Sequence, residues 1–198
     1  MKNILYSGGA HGADSVFALC AQHRGDEIFA FSFPGHKADL GKYELDDGQL
    51  EEHLESVILA GKGLKRQVAK KPSKHPRFRF IRNLILRNSW QIWGVPEHGQ
   101  TQAVYAVAPL DKFHRQVSGG TAWALEIALH QTEVPVYVFD LKSEKWYLWV
   151  EDKFHSTELP PAPSGIYTGI GSRDISDVAI EAVGNLYRLP ISPLSDQI

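Results

Sequence analysis

The chain has 198 residues, 43% of them hydrophobic and 22% charged, a make-up that excludes disorder along its whole length and fits one domain, 1–198. Lysine and arginine number 21 against 23 acids, so the net charge of -2 exerts no global pull toward nucleic acid or a membrane surface, and any basic site is local. The single cysteine, Cys20, excludes an internal disulfide framework and a thiolate metal cluster and points to a reducing, cytoplasmic setting.

From the start of the chain, Asn3 to Tyr6 reads as a short strand that stops at Ser7-Gly8-Gly9. The glycines interrupt it before the apolar core of a secretory leader is reached, and no window approaches about 18 apolar residues, so neither secretion nor membrane spanning is expected. Ala13, Val16, Phe17 and Cys20 then recur at helical spacing up to Gly25, and Glu27 to Phe33 reads as a second strand closed by Pro34-Gly35. Together these segments form a βαβ unit.

An acidic stretch, Asp46 to Glu55, is expected to open a helix through Ala60. A basic stretch follows, with ten cations between Lys62 and Arg87 and no acid between Glu55 and Glu97. Its alternating Arg77, Phe78, Arg79, Phe80 suits an edge strand or extended loop, and the charge suits either a solvated face or the margin of an anion-binding crevice.

The strand, glycine, helix sequence returns as Ala103 to Ala108, Ser118-Gly119-Gly120-Thr121 and a helix to His130, followed by a strand from Val134 to Phe139. Lys145 to Val150 reads as a strand able to form a hairpin with Val136 to Phe139. A Pro-rich connection, 155–165, leads to the third passage: Gly165 to Thr168 as strand, Gly169-Ile170-Gly171-Ser172 as turn, and a helix from about Asp174 to Arg188 before a tail, 189–198. Three such passages predict an α/β fold, an open and mostly parallel sheet flanked by helices, because parallel crossovers place helices on the sheet faces.

In such a sheet the strand C-termini share one edge, where ligands bind. Glycine lets backbone N–H groups approach a phosphate, and a helix N-terminus favours negative charge. The candidate ligand-binding residues are therefore Ser7, Gly8, Gly9, Gly12 and Asp14 in the first turn, Ser118, Gly119, Gly120 and Thr121 in the second, and Gly169, Gly171, Ser172 and Arg173 in the third. Arg173 offers two parallel hydrogen bonds to a phosphate or carboxylate. Asp14 serves equally as a charge at its helix N-terminus or as a ribose contact. Neither a nucleotide P-loop nor the dinucleotide fingerprint is present. The nine histidines include no His-x-x-x-His pair, and His11, His36, His75, His98, His114 and His155 fall in expected loops, so neither metal nor cofactor is expected. Trp90, Trp93 and Trp123 suit core packing, with stacking on a base as the other use.

Four motifs carry a resemblance: Tyr6-Ser7-Gly8-Gly9-Ala10-His11-Gly12-Ala13-Asp14; Arg87-Asn88 with Gln91-Ile92-Trp93-Gly94; Ser118-Gly119-Gly120-Thr121; and Tyr167-Thr168-Gly169-Ile170-Gly171-Ser172-Arg173. Together they resemble the SLOG superfamily of Rossmann-like proteins, which includes the DNA-processing Smf proteins, the LOG phosphoribohydrolases and the YpsA group. The resemblance leaves out about residues 35–75, a family-variable insertion, and the tail. The Gly-Ile-Gly-Ser-Arg strand, first in the YpsA-like arrangement, stands last here, which implies a circular permutation whose connection is the Pro-rich stretch.

The resemblance implies binding of a nucleotide or nucleotide-derived signalling ligand, and a homo-oligomer as the working form. A small stand-alone domain suits a sponge or carrier of such a ligand, and conflict between phage and bacterium is a setting that fits. An alternative is LOG-like N-glycosidase chemistry, with Glu126 at the position of the motif's glutamate and Arg87 on the preceding helix as the catalytic pair. Ser118, Ala122 and Trp123 depart from that motif. A further alternative is single-stranded nucleic-acid binding through the basic segment 62–87, with Phe78 and Phe80 interleaved, as the likeness to Smf proteins permits.

Overall fold

In the computed structural model, which describes residues 2–38 and 40–189, the chain runs β1 (Ile4–Ser7), α1 (Ala13–Arg24), β2 (Glu27–Ser32), β3 (Lys42–Glu44), α2 (Asp47–Glu52), α3 (Leu54–Gly63) and α4 (Pro76–Trp93). It continues as β4 (Ala103–Val107), α5 (Thr121–Gln131), β5 (Val136–Asp140), β6 (Lys145–Val150), β7 (Lys153–Ser156), β8 (Ile166–Gly171) and α6 (Asp177–Leu186). The strands form one eight-stranded sheet in the order β3-β2-β1-β8-β4-β5-β6-β7. From β3 through β5 all neighbours are parallel, and β6 and β7 close that edge antiparallel. The fold is α/β and Rossmann-like, with a mixed sheet flanked by helices.

Strand alternation divides the core in two. Leu5, Tyr105, Val107 and Tyr167 pack with Val16, Phe17 and Ala21 of α1 and Val183 of α6, while Ile4, Tyr6, Val104, Ala106 and Ile170 pack with Leu86 and Trp90 of α4 and Ala124 of α5. Period-2 side chains on strands covered on both faces make both clusters predominantly apolar, as parallel sheets require. No helix among the described residues is long and apolar enough to cross a membrane.

The βαβ units, the β5–β6 hairpin and the helix after β8 stand where sequence placed them, to within a few residues. Four readings are corrected. The stretch Arg77 to Phe80 is neither edge strand nor loop but the start of α4, which Pro76 opens at its first position. The helix expected to run through Ala60 is two helices, because Asp46 and Gln49 cap α2 reciprocally and the chain turns at His53 before α3. His155 lies in β7, which along with the three-residue β3 had no expected counterpart. Gly169 and Gly171 belong to β8 itself, paired with Tyr105 and Val107, so the turn begins at Ser172. Of the tail 189–198, all but Leu189 lies outside the described residues.

Candidate ligand-binding site

Strands β1, β8 and β4 end together at one edge, and the loops leaving them are stitched to one another. Ala13 N–H donates to Ser172 O at 3.0 Å, and Ser172 N–H to Val107 O at 2.8 Å. Gly12 makes the first contact feasible: its φ is +97°, and a Cβ there would lie 2.3 Å from Arg173 O. Asp14, in the first turn of α1, completes the stitch by accepting Gly171 N–H at 2.9 Å and Ala10 N–H at 3.3 Å. Gly169 serves packing rather than a turn, since Phe17 covers it and a Cβ would meet the ring carbon Cγ at 2.5 Å.

The third loop brings in the N-terminus of α5. No side chain caps this end, and the turn through Gly119 (φ +80°) and Gly120 faces open space. Arg66 Nη1 donates to Gly119 O and Asn88 Nδ2 to Gly120 O, both at 3.0 Å, which fixes the turn from behind. Its open N–H groups and the positive end of the helix dipole face the ends of β8 and β4.

Beneath them lies Arg87, carried inward by α4 and only 4% exposed. Its Nε has no hydrogen-bond partner, and among the described residues it forms no ion pair. Gly8 makes room for it, since a Cβ there would fall 1.7 Å from Arg87 Nη1 and 2.5 Å from Asp14 Oδ2. Burial pushes the Arg87 guanidinium down to about 10, with Arg173 adding to the shift and Asp14 opposing it. Burial likewise raises the Asp14 carboxyl to about 6, against the pull of Arg87 and of the backbone amides that donate to it.

These groups line a crevice of about 700 Å³. One wall is apolar, formed by Ile81, Leu84 and Ile85 of α4 together with Trp123, and the opposite rim is polar, formed by Ser118–Thr121 and Gly171–Arg173. Such a volume accommodates a small ligand with a charged end and a flat apolar body. Of the residues singled out from sequence, Asp14, Arg87, Ser118, Gly119, Gly120, Thr121, Gly171, Ser172 and Arg173 line it. Ser7, Gly8, Gly9, Gly12 and Gly169 support it from outside.

Glu126 stands elsewhere. It lies one helical turn beyond Trp123, against the end of α3, where a Cβ on Gly63 would be 1.7 Å from its Oε1. It lines a second crevice of about 620 Å³ with His130 and Trp149, and Arg87 does not reach that space. His130 Nε2 is 3.6 Å from Oε1, and burial raises the Glu126 carboxyl despite it. Trp90 and Trp93 are committed to packing, their indole N–H groups donating to Gln49 O and Ser56 Oγ.

Sequence reasoning named Trp123 and the basic stretch that holds Arg66, but missed the part of the wall formed by Ile81, Leu84 and Ile85. The signal for the wall was present, because Ile81, Leu84, Ile85 and Asn88 follow the i, i+3, i+4, i+7 stripe of a helix face. Among the described residues no three His, Cys, Asp or Glu side chains converge as metal ligands would. Comparison of the chain with protein-family models, with curated proteins and with solved structures finds no match.

Proposed function

We propose that the crevice binds a nucleotide or nucleotide-derived signalling ligand and holds it intact, as a sensor or sponge does. The observation that carries this reading is Arg87: a buried guanidinium in no ion pair, its Nε without a hydrogen-bond partner, at the floor of a crevice whose rim is a helix N-terminus and the end of β8 with Ser172 and Arg173. Protein interiors rarely leave such a donor unanswered, and an entering phosphate answers it. The phosphate sits between the α5 N-terminus, Arg87 and Arg173, while the base lies along Ile81, Leu84 and Ile85.

The strand order supports the SLOG-like, permuted reading. With β8 counted as the first strand, β1 and β2 lie on one side and β4 and β5 on the other, which matches the 3-2-1-4-5 part of the order of dinucleotide-binding sheets, β6 being antiparallel. The crevice lies over β8 and β4, where those two directions part, the position at which open α/β sheets bind ligands. Binding is favoured over LOG-like hydrolysis because Glu126 faces the other crevice. A pairing of two copies accords with the same resemblance.

Native mass spectrometry of the protein purified from cells, followed by denaturation and identification of the released molecule, tests the reading. The expected result is a co-purifying nucleotide with its glycosidic bond intact. Conversion of nucleoside monophosphates to free base by the purified protein overturns it, as does failure of any nucleotide or dinucleotide tested to bind.

A further inference from the structure

Residues 65–75 belong to no helix or strand, yet one buried side chain holds their middle at Ala69 and Lys70. Arg82, buried on α4, donates through Nε to Ala69 O at 2.6 Å and through Nη2 to Lys70 O at 3.2 Å, while Glu51 holds the guanidinium at 2.5 and 2.7 Å. Of the ten cations between Lys62 and Arg87, only Arg82 and Arg87 are buried. The other eight are exposed, and among the described residues none is in an ion pair. A chain carrying net charge -2 thus concentrates unneutralised positive charge along one ordered strip.

The strip also carries an aromatic where core packing does not call for one. Phe78 is 61% exposed, with the ring of His75 5.0 Å away. Three residues before Ile81 on α4, it extends the crevice's apolar wall by one helical turn outward. At the inner end Arg66 both holds Gly119 O and lines the crevice, so the strip runs without a break from the crevice mouth to the start of α4.

We propose that residues 65–79 dock single-stranded nucleic acid, its phosphates along Lys70, Lys71 and Lys74, a base on Phe78, and the strand leading toward the crevice mouth. Ordered cations beside an exposed ring match a polyanion with accessible base faces; a duplex hides those faces, and a lipid surface has no use for a single stacked ring. This surface lies almost wholly in the segment the four motifs do not cover, and the inference stands whether or not the crevice binds a nucleotide.

Fluorescence anisotropy of the full chain with a labelled 12-residue oligothymidylate tests it. Neutralising about three phosphates makes affinity fall about 20-fold between 50 and 200 mM salt. The triple variant K70E/K71E/K74E, all surface positions, is expected to bind at least about tenfold more weakly with a flatter salt slope. Phe78→Ala is expected to lose about tenfold with the slope unchanged. No binding at 50 mM salt, equal affinity for the matching duplex, insensitivity to the triple variant, or binding only to phosphatidylserine vesicles overturns the proposal.

Discussion

Replacing Arg87 with methionine is expected to make the empty protein more stable while abolishing its affinity for phosphate-bearing ligands. Burial holds the guanidinium near pKa about 10 against an ordinary value of about 12.5, and each unit corresponds to 1.36 kcal/mol, so keeping the charge inside costs about 3 kcal/mol at neutral pH. Methionine keeps the methylene packing and removes that penalty. Part of the gain is lost because Asp14 then lacks its nearest positive charge and is harder to ionise. The net expectation is about 1–2 kcal/mol of added stability, which for a domain of this size raises Tm by about 2–8 °C. Thermal and urea unfolding at pH 7.5, in a buffer free of phosphate, measure it. Added pyrophosphate should then stabilise the wild type and leave the variant unmoved. A loss of 1 kcal/mol or more in the unliganded variant would refute the reasoning, since it would mean that the charge already has its partner in the interior.

Other expectations follow from the same geometry. Gly8→Ala puts a Cβ on top of the guanidinium and should destabilise by about 1–3 kcal/mol and weaken pyrophosphate binding together, measured by unfolding and by calorimetry. Between pH 4 and 6 the contributions of two buried groups to the stability of the wild type oppose each other and nearly cancel. His36, held down to about 4, contributes stability that is present above its ordinary pKa of about 6.5 and lost as pH falls toward 4, whereas Asp14, raised to about 6, contributes stability that is present below its ordinary 3.9 and lost as pH rises through 6. Relative to the wild type, His36→Gln should therefore unmask a fall of about 2 kcal/mol as pH rises from 4 to 6, and a profile that matches the wild type would contradict the assignment. Arg82→Ala removes the partner of the partly exposed Glu51 and frees two carbonyls, so it should destabilise by about 1–2 kcal/mol and speed tryptic cleavage after Lys70, Pro72 protecting the bond after Lys71.

Where local pattern and tertiary setting agree, the architecture was legible from sequence. The alternation Ile4, Leu5, Tyr6 and the glycine turns that follow strands announce a parallel sheet with two covered faces. What resisted reading was decided by neighbours. The Arg77 to Phe80 alternation mimics a strand, and only the apolar stripe further along α4 reveals the helix. Gly169 and Gly171 look like a turn from composition, whereas in β8 a Cβ at Gly169 would strike Phe17 of α1 and one at Gly171 would strike Val107 O and Ala13. Motif spacing places Glu126 one turn along α5, yet what lies beyond that turn is set by α3, which comes from the segment no motif describes. Arg87 was reached through the resemblance. Its want of a partner is a property of three dimensions.

The position of β8 also shapes how the molecule is made. It joins the two halves of the sheet, pairing with β1 on one side and β4 on the other, although its Ile166 stands 162 residues after its partner Ile4. A ribosome adding about 5–20 residues per second leaves the edges of β1 and β4 unpaired for seconds to tens of seconds. During that interval the nascent chain exposes two parallel strand edges with every side chain apolar or small, the kind of surface that chaperones guard and aggregates recruit. The crevice, whose floor and rim come from both halves, comes into being only when this central strand threads between them.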